Sequence, residues 1–518
     1  MTAKKKRAAR LSRRGFLGGL AGFAAAPAFV APARARPRIV DGVTAGDVTA
    51  DSAVIWARSD RPARMLVEWA TSDSFHNATR TAGYVADDTG HTRQVILDDL
   101  PPGQDIFYRV RFEAPDGTSS GEPAVGHLRT AGPRRDVTFV FGGDQCGAGW
   151  GINPEWGGLR IFEAMARTEP DFLLHLGDRI YADHPMNESV ILGQDRRWTN
   201  IVTPAKQRVA QTVGQYRGNY SYNFIDDHYR RFSAGVPMIA TWDDHEVTNN
   251  WWPGRKLAQR VMQRKGYTVS PVDLLARRGR QAFFDFTPMR RRADDPDRIY
   301  RKVSYGSLLD LFVLDARSYR SANGGNRQAA WGPDASLLGP AQREWLKASL
   351  ATSRAVWKIV GNPLPIAHVR KTDRSRYDKW ANDDPGQPLG RELEIADILS
   401  FIKRQRIANV VWLAADVHYS AAHRFDPAGA AFGDFDPFWE FVAGPFHTRP
   451  GRVRQMDPTF GPERLFRTPL GPAPDPPPSA GYLYFGHARI DARTAAMTVS
   501  LRDLSGRPLY EQTLAPAR

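Results

Sequence analysis

An apolar run that ends in glycine and aspartate indicates the fold: Phe172-Leu173-Leu174-His175-Leu176-Gly177-Asp178. The run has the length of a buried strand, and similar runs recur along the chain, each followed by a polar side chain. We predict strands at 137–142, 171–176, 237–242, 308–314, 355–360 and 409–414. Longer helical stretches, such as 339–351 and 391–405, lie between strands, as they do in βαβ units. Residues 135–513 are therefore predicted to form an α/β domain.

Acidic side chains, imidazoles and one amide follow the predicted strands at the point where each strand ends. They are Asp144, Asp178, Asp243, Asp244, His245, Asp315, Asn362, Asp416 and His418. Ligands of open α/β sheets bind beyond the carboxyl ends of the strands, so we expect these side chains to meet there. Carboxylates gathered in this way repel one another and do not all ionise without cations. The sequence thus predicts a site for hard, oxygen-preferring metals, although each aspartate alone also fits a turn or a helix cap.

Residues 41–130 have a different pattern, with short strands separated by turn signals. We predict a small antiparallel β-sandwich there. It resembles fibronectin type III-like domains, because the turn at 100–103 leads into a strand that contains Tyr108. Residues 185–235 and 250–300 lack clear strand patterns and are predicted to be partly helical insertions near the site, and residues 450–480 are predicted to be a long surface loop.

The first 35 residues have the features of an export signal. A basic stretch leads into the twin-arginine pattern Ser12-Arg13-Arg14-Gly15-Phe16-Leu17 and then into an uncharged run rich in Gly and Ala, with Ala-x-Ala cleavage sites near Ala33. We predict a Tat signal peptide at residues 1–35, and a periplasmic or secreted protein exported by the Tat machinery. The run is too weakly apolar for a stable membrane span. A disordered basic arm and an uncleaved anchor are the alternatives.

Charge and cysteine content narrow the class of protein. The eight basic residues of the leader account for more than half of the net charge of +15, and without them +7 remains. This modest surplus suits anionic substrates or solubility, and it argues against a nucleic-acid partner. The single cysteine, Cys146, excludes an internal disulfide, and we predict that it is a buried apolar residue.

Four segments carry a family resemblance. They are Gly143-Asp144, His175-Leu176-Gly177-Asp178-Arg179-Ile180-Tyr181, Trp242-Asp243-Asp244-His245-Glu246 and Asp416-Val417-His418. They resemble the calcineurin-like metallophosphoesterases, and most of all the PhoD-type alkaline phosphatases, over roughly residues 40–440. The resemblance implies a metallophosphoesterase-like β-sandwich flanked by helices at 135–513, preceded by a PhoD amino-terminal all-β domain at 41–130.

The resemblance also implies a role for each site residue. Asp178 would bridge the metals, Tyr181 would bind iron(III) as a phenolate, and the remaining ligands would be Asp144, Asp244, Asp416 and His418. The family's metals are iron(III) and calcium. Hydroxide generated at the ions would attack phosphorus, and His245 would donate to the leaving group or to a phosphate oxygen. Arg317 and Asn249 would bind substrate. Alternatively, His245 orients a ligand carboxylate, Arg317 pairs with an aspartate, and Asn249 caps a loop.

One position departs from the family pattern. PhoD enzymes usually have cysteine where this chain has Asp144, and Cys146 lies two positions later. Aspartate is the choice of the broader superfamily, so manganese or another divalent metal is an alternative to iron.

The leading interpretation is an alkaline phosphatase-like phosphomonoesterase acting on small-molecule phosphate esters. Phosphodiesterase or phospholipase D-like activity on lipid head groups is an alternative, because the insertions and nearby loops contain the bulky residues Trp251, Trp252, Trp331 and Trp380. A non-catalytic phosphate-binding surface protein is the alternative from a different class.

Overall fold

The computed structural model describes residues 36–84, 87–133, 135–193, 196–471 and 475–517. The predicted export signal at 1–35 lies outside these ranges. The strands are β1 Ile39–Gly46, β2 Ala53–Ser59, β3 Arg64–Ala70, β4 Thr79–Tyr84, β5 Thr92–Leu97, β6 Asp105–Glu113, β7 Ala124–Arg129, β8 Val137–Gly142, β9 Phe172–Leu176, β10 Ser189–Ile191, β11 Arg197–Thr199, β12 Met238–Thr241, β13 Arg301–Tyr305, β14 Leu309–Val313, β15 Trp357–Gly361, β16 Val410–Ala414, β17 Ala421–Phe425, β18 Phe438–Val442, β19 Pro462–Arg467, β20 Tyr484–Ile490, β21 Met497–Asp503 and β22 Pro508–Leu514. The helices are α1 Ile161–Ala166, α2 Val213–Asn223, α3 Asp227–Gly235, α4 Gln259–Lys265, α5 Val272–Phe286, α6 Gly339–Thr352 and α7 Glu392–Arg404.

Two large sheets form the centre of the molecule. One has nine strands in the order β22-β21-β20-β8-β9-β12-β1-β2-β5, and the other has seven in the order β13-β14-β15-β16-β18-β17-β19. Strands β8, β9 and β12 run parallel, and so do β14, β15, β16 and β18. The six strands predicted from the apolar runs are thus present, and each lies in the parallel part of one of the two sheets.

Alternating side chains bind the layers together. In β8, Phe139 and Phe141 join the core between the sheets, whereas Val140 faces the apolar cluster that contains residues of α1, α2, α3 and α5. In β14, Leu311 joins the inner core and Phe312 packs with residues of α6 and α7. The result is a two-sheet sandwich with helices on both outer faces. No helix within the described ranges is long and apolar enough to cross a membrane.

The amino-terminal region is all-β and is joined to the larger domain. Strands β4, β3, β6 and β7 form a separate four-stranded sheet, whereas β1, β2 and β5 extend the nine-stranded sheet. The junction is the parallel pairing of β1 with β12, where Gly46 lies opposite Met238. A side chain at Gly46 would come within 2.1 Å of the Pro288 carbonyl oxygen, so the junction requires glycine.

Two expectations about irregular segments were wrong. The insertion at 185–235 contains the β10–β11 hairpin, and the supposed loop at 450–480 contains β19. Strand β19 pairs antiparallel with β17 at the edge of the seven-stranded sheet. The strand is short and its neighbours in the chain are rich in proline and glycine, so the local sequence does not reveal it. Its pairing with β17 stabilises it. The insertions also contain helices α2, α3, α4 and α5, as predicted.

Candidate metal centre at the strand ends

The chain turns sharply where the central strands end. Asp144, Asp178, Asp416 and His418 have positive φ, between 53° and 69°, in the left-handed region that non-glycine residues rarely adopt. Gly177 has φ 105°, and a side chain there would come within 2.6 Å of the Asp243 Cβ atom. Glycine therefore lets the ends of β9 and β12 approach each other. Such strained residues cluster at functional sites, because the surrounding structure has to hold them.

Among the described residues, three groups of side chains could hold a metal ion; one consists of Asp183, His184 and His245, and the turns bring together the other two. One consists of Asp144, Asp178 and His418, and the other of Asp178, Asp244 and His245; within each group the ligand atoms lie within 4.8 Å of one another. Asp178 belongs to both groups. The arrangement has the geometry of two adjacent cation sites with one shared carboxylate.

Tyr181 lies between the two groups. Its hydroxyl is 3.0 Å from His418 Nε2 and 3.5 Å from Asp144 Oδ1, and its ring stacks on the His245 imidazole with centroids 4.2 Å apart. The side chain is buried. The phenol oxygen is therefore placed with the first ligand group.

The electrostatics of the site call for positive charge. Burial raises the pKa of Asp178 well above its usual value, and the nearby Asp244 and Asp243 carboxylates raise it further. Burial and the Asp178, Asp144 and Asp244 carboxylates also raise the pKa of the Tyr181 phenol. In the described part of the chain, Asp144 Oδ2 and Asn362 Oδ1 are buried without a hydrogen-bond partner. Buried like charges, unpaired oxygens and imidazoles together fit bound cations.

The His245 imidazole is held by both its neighbours and its backbone. Nδ1 is 2.7 Å from Asp183 Oδ1, Nε2 is 3.7 Å from Asp244 Oδ1, and the main-chain N–H donates to Asp178 Oδ1 at 3.1 Å. Burial lowers the pKa of His245, but the Asp244 and Asp183 carboxylates outweigh it and raise the pKa to about 9.

Asp183 is a buried residue of the site that the sequence interpretation missed. Besides His245, it contacts Lys265 Nζ at 2.9 Å, the Asn249 N–H at 3.0 Å and His184 Nδ1 at 3.0 Å. Burial raises its pKa, yet the neighbouring His184, His245 and Lys265 hold it well below the usual value. The Asp183-His184 pair, one residue after the Gly-Asp-x-Ile-Tyr motif, was the signal that could have revealed it.

Asp416, an expected ligand, lies outside both ligand groups. Its carboxylate forms an ion pair with the Lys379 ammonium, which is also 3.2 Å from His368 Nδ1. Lys379 is almost fully buried and has no signal in the sequence that marks it as part of the site.

The two residues predicted to bind substrate have other partners. Arg317 is fully buried; its Nε donates to Asp243 Oδ1 at 2.6 Å and its Nη1 to Asp378 at 3.2 Å. Asn249 is half-buried and its main-chain N–H bonds to Asp183. These contacts are those of the alternatives, in which Arg317 pairs with aspartates and Asn249 shapes its loop. Arg317 Nη2 has no hydrogen-bond partner among the described residues and lies 3.6 Å from Asp244 Oδ2, so substrate binding stays a prediction. Cys146 lies in an apolar cluster, where burial raises its pKa to about 12, and it joins neither ligand group.

Glu246 holds the turns that carry the ligand residues through hydrogen bonds to their main chain. Its carboxylate accepts hydrogen bonds from the main-chain N–H groups of Asp178 at 3.1 Å, Arg179 at 2.7 Å and Asp243 at 2.8 Å. The side chain thereby ties the turns after β9 and β12 to each other.

We expect Glu246→Gln to lower the free energy of unfolding by about 2–4 kcal/mol, because an amide has one oxygen and leaves at least one buried N–H unpaired. Urea denaturation measures the effect. Glu155→Gln, at an exposed position, is the control and should change the free energy of unfolding by less than about 0.5 kcal/mol. Equal stability of the two variants would contradict the supporting role.

Comparison with known proteins places this centre in a family. A family model described as PhoD-like phosphatase matches residues 139–501, and one described as PhoD-like phosphatase, N-terminal domain, matches residues 24–132. Alkaline phosphatase D of Bacillus subtilis (strain 168) is 29% identical over 409 residues, 74% of this chain and 64% of the relative. The chain thus spans less than two thirds of the length of that curated relative.

Solved structures show the same fold at low identity. The structure of PhoD has a TM-score of 0.66 and 21% identity, and the match covers 94% of this chain and 90% of that one. Purple acid phosphatase PPD1 from yellow lupin (Lupinus luteus) seeds has a TM-score of 0.57 and 14% identity, with 93% and 74% covered. The metallophosphoesterase-like fold that the motifs implied is therefore confirmed. The chain belongs to the PhoD-like phosphatase family.

Proposed function

We propose that this protein is an exported, metal-dependent phosphatase that hydrolyses phosphate monoesters. The observation that carries the proposal is the pair of ligand groups sharing Asp178. Two adjacent cations would neutralise a cluster of buried carboxylates that otherwise repel one another. The family supports the same reaction class.

Ligands for two ions follow from the geometry. We assign Asp144, Tyr181 and His418 to one ion, Asp244 to the other, and Asp178 to both. A phenolate ligand favours iron(III), with calcium at the second position; manganese or another divalent metal is the alternative, because Asp144 replaces the cysteine usual in PhoD enzymes. When bound, such ions supply an activated hydroxide and hold phosphate oxygens. Asp416, paired with Lys379, borders the site.

We assign His245 as the proton donor to the leaving group. Its Nδ1 is held by the Asp183 carboxylate, so Nε2 is the nitrogen left for the substrate, on the side of Asp244. Asp183 acts as a positioning residue, since it fixes the ring by contacting Nδ1. Lys265 and the Asn249 N–H in turn hold Asp183.

The remaining proposals concern export and the amino-terminal region. The twin-arginine segment supports Tat export of a periplasmic or secreted enzyme. In residues 41–130, strands β1, β2 and β5 pack against the sheet of β4, β3, β6 and β7, around a core that continues into the larger domain. This arrangement supports a fibronectin type III-like sandwich.

Metal analysis and matched substrates test the proposed function together. We expect purified protein to contain metal by mass spectrometry and to hydrolyse p-nitrophenyl phosphate faster than its bis ester. Dialysis against a chelator should lower the rate by about 100-fold or more, and added metal should restore it. Protein dialysed without chelator is the control. Faster hydrolysis of the bis ester would indicate a phosphodiesterase, and phosphate binding without turnover would indicate a binding protein; either result contradicts the proposal.

A further inference from the structure

Five arginines form a cationic patch beside the metal centre. The cationic patch consists of Arg370, Arg452, Arg454, Arg464 and Arg467. They are exposed or half-buried, and within the described ranges none forms an ion pair with a carboxylate. Most other arginines around the site, such as Arg317, are paired. An unpaired cluster of guanidinium groups is therefore available to a ligand.

Two hydrogen bonds of His418 connect this patch to the ligand groups. The Gly451 N–H donates to the carbonyl of His418 at 2.8 Å, and His418 Nδ1 contacts the Arg449 carbonyl at 3.0 Å. The segment that carries Arg452 and Arg454 is thus hydrogen-bonded at its start to His418, a residue of the metal centre.

Two further bonds hold Arg370 and Arg464 against this segment, and Arg467 lies on β19 opposite Ala421 of β17, three residues after His418. The Val369 N–H donates to the Gln455 carbonyl at 3.2 Å, which places Arg370 beside Arg454. Arg464 Nη2 donates to the Arg454 carbonyl at 3.0 Å. Residues distant in the chain are therefore gathered at one edge of the site.

Neighbouring positive charges lower the pKa of an arginine in the patch. Burial lowers the pKa of Arg454, the positive charge of Arg370 lowers it further, and Asp416 opposes this change. The acids that face the patch are engaged elsewhere, Asp416 with Lys379 and Glu440 with His423. Mutual repulsion of this kind costs free energy, which a bound anion would offset.

Buried donors without partners border the same arginines. In the described part of the chain, Tyr419 Oη, His368 Nε2 and Arg464 Nε have no hydrogen-bond partner. Tyr419 is 1% exposed and His368 4%, and their rings lie 6.2 Å apart. His368 Nδ1 faces the Lys379 ammonium and must accept, so its Nε2 carries the hydrogen. Buried donors normally have acceptors, so these groups also indicate an anionic ligand.

We propose that the cationic patch binds a second oxyanion, a carboxylate or a phosphate, of the same substrate whose phosphate ester occupies the metal centre. This inference rests on the proposed function and narrows its substrate class to phosphate esters with an additional anionic group. Arginine suits the role, because its planar fork matches a carboxylate or phosphate with paired hydrogen bonds.

Paired substrates test the subsite. The pairs are alkyl phosphates and ω-carboxyalkyl phosphates of the same chain length, taken through a series of lengths. We expect kcat/KM to be about tenfold higher for the carboxylated member at the chain length that reaches the patch. The double variant Arg370→Ala/Arg454→Ala should bring this ratio close to one. The single variant Arg454→Lys keeps the positive charge and should therefore retain part of the preference for the carboxylated ester. The ratio is the readout, because a general loss of folding would lower both rates alike.

Arg424→Ala is the matched control, since Arg424 is exposed on β17 and paired with Asp426 outside the patch. It should leave the ratio as in wild type. A wild-type ratio near one at every chain length, or an unchanged ratio in the double variant, overturns the subsite. Hydrolysis of the plain alkyl phosphates in the same experiment still upholds the proposed function. If neither ester is hydrolysed, the proposed function fails, and calorimetric affinities for the matching phosphonates decide the subsite by the same ratio.

Discussion

Asp178→Asn is expected to lower kcat/KM for p-nitrophenyl phosphate by about 10⁴-fold or more and to deplete the protein of metal. The Asp178 carboxylate belongs to both ligand groups, so its loss weakens both ion sites at once. The amide is neutral and has one oxygen, so it does not bridge two cations as a carboxylate does. Steady-state kinetics and metal analysis by mass spectrometry measure the two effects.

The same substitution should have the opposite effect on the stability of metal-free protein. Burial and neighbouring carboxylates raise the pKa of Asp178, so a negative charge at this position is unfavourable without metal. Metal-free Asp178→Asn is therefore expected to melt at a higher temperature than metal-free wild type. A lower activity together with a higher melting temperature separates a loss of ligands from a loss of folding.

Asp315→Asn is the matched control for Asp178→Asn. Asp315 also follows a strand, but it accepts hydrogen bonds from Trp242 Nε1 at 2.9 Å and from the Arg317 N–H at 3.0 Å, and it belongs to neither ligand group. This control should keep its metal and lose stability. Full metal content in Asp178→Asn would show that the assigned ligand set is wrong.

His245→Ala is expected to lower kcat/KM by an amount that depends on the leaving group. For phenyl phosphate the loss should be about 10³-fold, because phenolate needs a proton as it departs. For p-nitrophenyl phosphate it should be nearer about tenfold, because that leaving group is stable as an anion. A series of aryl phosphates measures the dependence, which an effect on folding would not produce.

Asp183→Asn should show the same dependence with a smaller loss, about tenfold for phenyl phosphate, because the ring remains but is less well held. His184→Ala is the comparison, since His184 contacts the same carboxylate at 3.0 Å but is 33% exposed and lies behind it. Its effect should be equal for all leaving groups. A uniform loss in His245→Ala as well would refute the role of proton donor.

Local patterns predicted much of the fold. The apolar runs at β8, β9, β12, β14, β15 and β16 were recognisable because each is short, continuous and followed by a turn signal. Pairing of the edge strand β19 and attachment of β1 to β12 were not predicted. Both depend on a partner remote in the chain, and strand propensity alone does not specify such partners.

The sequence by itself determined the family, the positions of the six central strands, and the residue types that follow each of them, because these features occur in short contiguous segments. Only the tertiary structure decided which charges meet. Asp183 lies 62 residues from His245 and Asp416 lies 37 residues from Lys379, yet each pair is in contact. Arg317 pairs with Asp243 across 74 residues. Burying a charged group without a partner is costly in free energy, so buried charges are paired. Which partner each charge has depends on how the strands and insertions pack around it.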